Sequence, residues 1–275
     1  MRFGLLGPLA VWTDEGAPVA IPGAKVRALL ADLLVHAGEP VSADRLIDEL
    51  WGDAPPGNPA GSLQARVSQL RRALEQAEPG GRALVVSRTA GYLLQVGADA
   101  VDAGRFETLL ARARAANQPA ASAALLAEAL AIWRGPALSD FADDSFAQPA
   151  ITRLEEQRLT AVEEHIEARL ALGEHGALVG ELDALVARHP LRERLRAAHM
   201  RALYLAGRQA EALDTYQQLR TRLADELGLD PGPELARLLQ AILTHDPALA
   251  VRTPPAPRRT NLLAPLSSLV GRTAA

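Results

Sequence analysis

Ser62, Ala65, Ser68, Gln69 and Arg72 fall on one arc of the amphipathic stretch NPAGSLQARVSQLRRALEQ, with Arg66 and Arg71 on its flanks. Arg88 and Thr89 follow in the hairpin-like ALVVSRTAGYLLQV. Small and hydrogen-bonding side chains let a helix approach base edges closely, while arginine supplies phosphate contacts and bidentate guanine readout. The chemistry these residue types suit is recognition of double-stranded DNA, by a reading helix followed by a wing. An arginine-bearing solvated face on an ordinary helix is the plainer alternative, and the surrounding elements weigh against it.

Those elements are legible from periodicity and punctuation. Ala60, Leu63, Val67, Leu70 and Leu74 recur at helical spacing and predict the buried stripe of the reading helix. Asn58 is suited to cap it and Pro59 to occupy its first position. Upstream, Ser42 predicts the start of another helix that ends near Trp51, with Asp44 against the dipole and Val41 and Leu46 as a hydrophobic staple. A first helix is expected from about Ala24 to Ala37, ending at Gly38. Phe3, Leu5, Leu9 and Val11 alternate as a strand with a bend, and Val19 and Ile21 as a second short strand. Trp51 and Tyr92 are expected as core aromatics rather than base-stacking platforms.

Composition narrows the function classes. The chain has 275 residues, 48% hydrophobic content and no cysteine, enough for two domains and incompatible with disulfides or thiolate chemistry. A cytoplasmic protein is expected, without membrane contact, since no apolar run approaches the ~18 residues of a bilayer span. The formal net charge is −4, which disfavours nucleic acid as a whole-chain argument. Over residues 58–96, however, Arg66, Arg71, Arg72, Arg82 and Arg88 are opposed only by Glu75 and Glu78. A small basic footprint on an acidic chain suggests that dimerisation is needed for tight binding.

From Asp102 to about Leu249 the texture is helical throughout. Gly173 and Gly207 are 34 residues apart, and aligning them sets Leu182 over Tyr216 and Leu185 over Leu219. That is the tetratricopeptide period of paired helices. The six histidines show no HExxH or comparable ligand spacing, and no GxxxxGK[ST] occurs. No metal site, catalytic residue or cofactor is therefore expected.

Residues 1–97 resemble the OmpR-type winged-helix fold: LQARVSQLRRALE and SRTAGYLL sit where that family carries its recognition helix and wing turn. The strings IWRGPALSDF, HPLRERLRAAHMRALYLAGRQAEALDTYQ and LADELGLDPGPELARLLQAIL, within residues 102–249, resemble the bacterial transcriptional activator domain. The order of the two is similar to the Streptomyces antibiotic regulatory protein family, AfsR-like members in particular. The resemblance implies a mainly α protein, a winged helix followed by a tetratricopeptide-like array. It also implies an activator of secondary-metabolite genes that binds direct repeats in promoters, as a dimer on DNA, and recruits RNA polymerase holoenzyme with its sigma factor. DNA contact is implied at Ala65, Arg66, Gln69, Arg71 and Arg88; the PP-containing loop after the second helix implies a polymerase contact near Asp48, Asp53, Pro55 and Pro56. Residues 250–275, with NLLAPLSSLVGR, resemble a linker into a nucleotide-binding ATPase domain. The competing reading is a helical-repeat scaffold whose winged helix has lost its DNA role.

Overall fold

A computed structural model describes residues 1–89 and 91–249, so the expectation for 250–275 lies outside the described residues. The chain opens with antiparallel strands β1 (Arg2–Gly4) and β2 (Ala10–Trp12), in register Phe3 opposite Val11. The expected strand with a bend is thus a complete reversal. Leu5 and Leu6 turn inward and are buried, and Gly7 has φ 144°, with Arg134 Cβ 2.9 Å from where its own Cβ would stand. Val19 and Ile21 form no second strand. The Val19 N–H donates to the Val11 carbonyl at 2.8 Å, and the chain then runs into helix α1 (Ala24–Val35). That helix stops two residues short of the expected end, and Gly38 takes φ 86° in the turn beyond it.

Strand β3 (Val41–Ser42) has no sequence signal of its own, being two residues long, and leads into helix α2 (Ala43–Trp51). Ser42 Oγ accepts from the Arg45 N–H at 3.2 Å, the cap expected there. Helix α3 (Pro59–Ala77) starts at Asn58, whose Oδ1 accepts from the Gly61 N–H at 3.0 Å. A 3₁₀ turn (Gly81–Leu84) delivers the chain to β4 (Val85–Arg88) and β5 (Gly91–Leu94). The sheet order is β3-β5-β4, all antiparallel. Only glycine fits at 91, because a Cβ there would lie 1.9 Å from the Val41 carbonyl oxygen. Trp51 and Tyr92 are partly buried against the core.

The helical region comprises α4 (Asp102–Ala115), α5 (Pro119–Ala131), α6 (Gln148–Ala171), α7 (His175–Arg188), α8 (Glu193–Leu205), α9 (Gln209–Leu227) and α10 (Pro233–Leu243). Gly173 and Gly207 close α6 and α8 with φ 87° and 79°. Leu182, Leu185, Tyr216 and Leu219 are all buried, as the 34-residue alignment requires. The apolar cores divide elsewhere than the motifs do. One cluster runs from Phe3 through α4, α5 and the first half of α6 to Ala161; the other runs from Ile166 to Ile242. The winged helix and the first helices of the array therefore share a core.

One buried group inside the winged helix is titratable. Asp32 of α1, 1% exposed, faces Glu49 and Arg45 of α2, with His36 Nδ1 3.1 Å from its Oδ1. Burial first, then a hydrogen bond and repulsion from Glu49, push its carboxyl up to about 8 against a smaller opposing effect of Arg45. A folded-state value above the ordinary ~3.9 means that the fold holds the proton more tightly than the unfolded chain does. Its contribution to stability is then full below about pH 4 and is lost as pH rises through 8. Asp32→Asn keeps a donor for Glu49 and cannot ionise. It should be more stable than the natural chain at pH 8 and lose that advantage at pH 4, measured by thermal unfolding; an advantage independent of pH would show that Asp32 does not titrate in this window.

Candidate nucleic-acid interface

The reading helix packs through Leu63, Val67, Leu70 and Leu74, all buried. Ala60 is exposed, so the stripe begins one turn later than its periodicity suggests, the first turn of α3 lying outside the packed face. The stripe turns the opposite arc to solvent. Ala65, Ser68, Gln69 and Arg72 are exposed, Ser62 and Arg66 partly so. Arg66 Nη1 donates to Gln69 Oε1 at 2.9 Å, which aligns two of the expected base-reading side chains one turn apart. Arg66 Nε is shielded and has no partner among the described residues. Arg88 ends β4, Thr89 starts the turn, and both are exposed.

Arg71 stands apart from this group. Its Nε and Nη2 donate to the Val85 carbonyl at 2.9 and 2.7 Å, and Nη2 also donates to Ser87 Oγ at 2.9 Å. Expected as a DNA contact, it forms a strut between the reading helix and the first wing strand, because the flank it occupies faces β4. Glu75 assists from the next turn: its Oε2 accepts from the Gly80 and Arg82 N–H groups at 3.2 and 3.0 Å. Gly81 completes the joint, since a Cβ there would stand 2.4 Å from the Leu74 carbonyl oxygen. Sequence reasoning missed Glu75 and Gly81. Their signal was the spacing of a helix-terminal acid to the glycines that follow it.

The other expected contact surface is the end of α2 and the loop after it. Asp48, Asp53 and Pro55 are exposed and Pro56 is partly buried. Gly52 takes φ 53° and its N–H donates to the Asp48 carbonyl at 2.7 Å, so the loop leaves the helix through a tight, closed turn. Lys25 Nζ donates to the Leu50 carbonyl, tying the same end to α1. Among the described residues no group of three or more histidine, aspartate or glutamate side chains is arranged to hold a metal ion, and no helix is long and apolar enough to cross a membrane.

The family model "Transcriptional regulatory protein, C terminal" matches residues 20–94, the helices and wing just described. The model "Bacterial transcriptional activator domain" matches residues 101–243. The chain is 37% identical over 265 residues to the regulatory protein DnrI of Streptomyces peucetius, spanning 94% of this chain and 97% of DnrI. The chain belongs to the Streptomyces antibiotic regulatory protein family. Regulatory protein AfsR of Streptomyces coelicolor is 43% identical over 254 residues, which are 91% of this chain and 25% of AfsR. The solved structure of Mycobacterium tuberculosis EmbR in complex with a low affinity phosphopeptide superposes with a TM-score of 0.85 at 38% identity, covering 90% of this chain and 65% of EmbR. The chain thus spans nearly all of DnrI, about a quarter of AfsR and under two thirds of EmbR. As the family order requires, a mainly α architecture with small winged-helix β elements precedes an all-α helical array.

Arg71→Ala removes three hydrogen bonds from a charged donor and should destabilise the chain by about 1–3 kcal/mol. Arg72→Ala and Gln69→Ala, on the exposed arc, should stay within about 0.5 kcal/mol of the natural chain. Urea denaturation separates the two cases; an Arg71→Ala variant as stable as the Arg72→Ala variant would remove the strut.

Proposed function

We propose that the chain is a sequence-specific DNA-binding activator of secondary-metabolite genes. The observation that carries this reading is the exposed arc of α3, with Arg66 and Gln69 aligned on it and Arg88 exposed at the wing turn, in a chain that matches nearly the full length of DnrI. Residues Ser62, Ala65, Arg66, Gln69 and Arg72 enter the major groove, and Arg88 and Thr89 of the wing meet the neighbouring backbone. Arg71 acts through the wing it holds, as a positioning residue.

Direct repeats set the assembly. Tandem half-sites have no two-fold axis, so two copies bind head to tail rather than through a self-complementary interface. A spacing near a whole helical turn, about 10–10.5 base pairs, keeps both copies on one face of the duplex. Activation uses the other exposed surface: Asp48 and Asp53 present negative charge to polymerase holoenzyme and its sigma factor, and Pro55 and Pro56 stiffen the loop that carries it.

The test is a titration of direct-repeat and scrambled duplexes at fixed salt. Arg66→Ala and Gln69→Ala should each lose roughly 1–3 kcal/mol on the repeat and relax preference at one position. Arg88→Ala should weaken both duplexes alike and reduce the salt slope by about 1. Replacing Asp53, Pro55 and Pro56 together should leave affinity intact and lower transcription in a purified system. Unchanged affinity in the Arg66 and Arg88 variants would favour the scaffold reading instead.

A further inference from the structure

The second core contains a group with no part in DNA contact. Arg196 and His199 of α8 and Thr215 of α9 are each 5% exposed, yet they line an open cavity of about 390 Å³ between α7, α8 and α9. Arg196 makes no ion pair among the described residues. Its Nη2 reaches only the Pro190 carbonyl, at a long 3.4 Å, and its Nε has no partner. Both ring nitrogens of His199 lack a hydrogen bond, although Nε2 lies 3.2 Å from Asp183 Oδ1. Buried polar groups are ordinarily satisfied, and a guanidinium left without a counterion beside a solvent-filled cavity is the exception that calls for an anion.

The remaining charges on the wall define which anion. Arg208 is committed to Glu211 at 2.7 Å and Arg222 to Glu226 at 2.6 Å, while Asp183 and Asp214 add negative charge to the same rim. A dianion such as phosphate would be repelled by that rim. A planar monoanion matches the guanidinium fork with two parallel hydrogen bonds and brings only one charge. The volume lies at the lower end of small-molecule sites. Burial, with the positive charge of Arg222 nearby, holds the Arg196 cation below its ordinary stability, as expected of a site that is completed by its ligand.

We propose that the α7–α8–α9 cavity binds a small monocarboxylic acid, its carboxylate on Arg196 and its polar substituents against His199 and Thr215. The site is separate from the DNA-binding head and does not rest on that reading. The test is thermal unfolding of the full chain titrated at constant ionic strength with acetate, lactate, benzoate and pyruvate, and with inorganic phosphate as the contrasting anion. At least one carboxylate should raise the midpoint saturably, with phosphate at least tenfold weaker. Arg196→Met should abolish the response. Because that variant bears on the core, Arg222→Gln on the exposed rim provides a second reading: its midpoint without ligand should match the natural chain and its affinity should fall severalfold. No saturable rise with any of the four acids, an equal response to phosphate, or an undiminished response both in Arg222→Gln and in a folded Arg196→Met would each overturn the proposal.

Discussion

The architecture hangs on a single buried carboxylate. Asp102, the first residue of α4, accepts from the Leu5 N–H at 2.7 Å and the Leu6 N–H at 3.1 Å, and pairs with Arg134 Nη2 at 3.2 Å. The reversal between β1 and β2 turns its backbone donors into the core, where water cannot reach them, and a buried unpaired donor is costly. Asp102 satisfies two of them at the positive end of a helix, which itself favours the carboxylate. Arg134 completes the joint: it donates to the Pro8 carbonyl at 2.8 Å, and its guanidinium lies 5.1 Å from the Trp12 ring centroid. Backbone bonds from Arg134 to Leu6 and from Leu138 to Leu5, at 2.8 and 2.9 Å, clamp the turn from the other side. Removing the carboxylate would leave two buried N–H groups without an acceptor and the Arg134 guanidinium without its counterion.

With that joint made, the winged helix cannot swing freely on the helical array. Phe106 of α4 meets Trp133 edge to face at 5.5 Å within the core that contains Phe3 and Leu74, and the partly exposed guanidinium of Arg158 of α6 lies 4.6 Å from the Trp133 ring centroid. Helix α6 is the spine: Leu154 and Ala161 belong to the first core, Ile166 and Leu170 to the second. Its 24 residues extend about 36 Å at 1.5 Å per residue, enough to carry one rigid connection from the core shared with the winged helix to the repeat helices. Helix α3, packed in the first core through Leu63, Val67, Leu70 and Leu74, is thereby held in a fixed orientation to the first helices of the array.

Local rules were legible in the sequence, and long-range ones were not. The caps at Ser42 and Asn58, the stripe from Leu63 to Leu74 and the glycines at 173 and 207 each depend on neighbours within a turn or two, so periodicity and residue type sufficed. The β1–β2 reversal depends on Asp102, nearly a hundred positions away, and nothing in MRFGLLGPLAVW encodes that partner. Strand β3 exists because β5 pairs with it, and two residues carry no period of their own. Arg71 illustrates the same limit inside the site: its residue type suited a phosphate, and only the position of Val85 across the wing shows where its donors go. The motif boundary near residue 100 conceals a shared core, because core membership is a property of packing rather than of pattern.

Hydrogen–deuterium exchange on the full chain and on Asp102→Asn tests the central claim directly. An asparagine can accept one of the two backbone donors but presents its own N–H groups to the other. The account predicts faster exchange at residues 2–12 together with α4 and α5, as one unit, while α7, α8 and α9 keep the protection of the natural chain. Faster exchange confined to residues 2–12, with α4 and α5 unaffected, would contradict it, because the winged helix and the array would then be independent bodies in contact rather than one core.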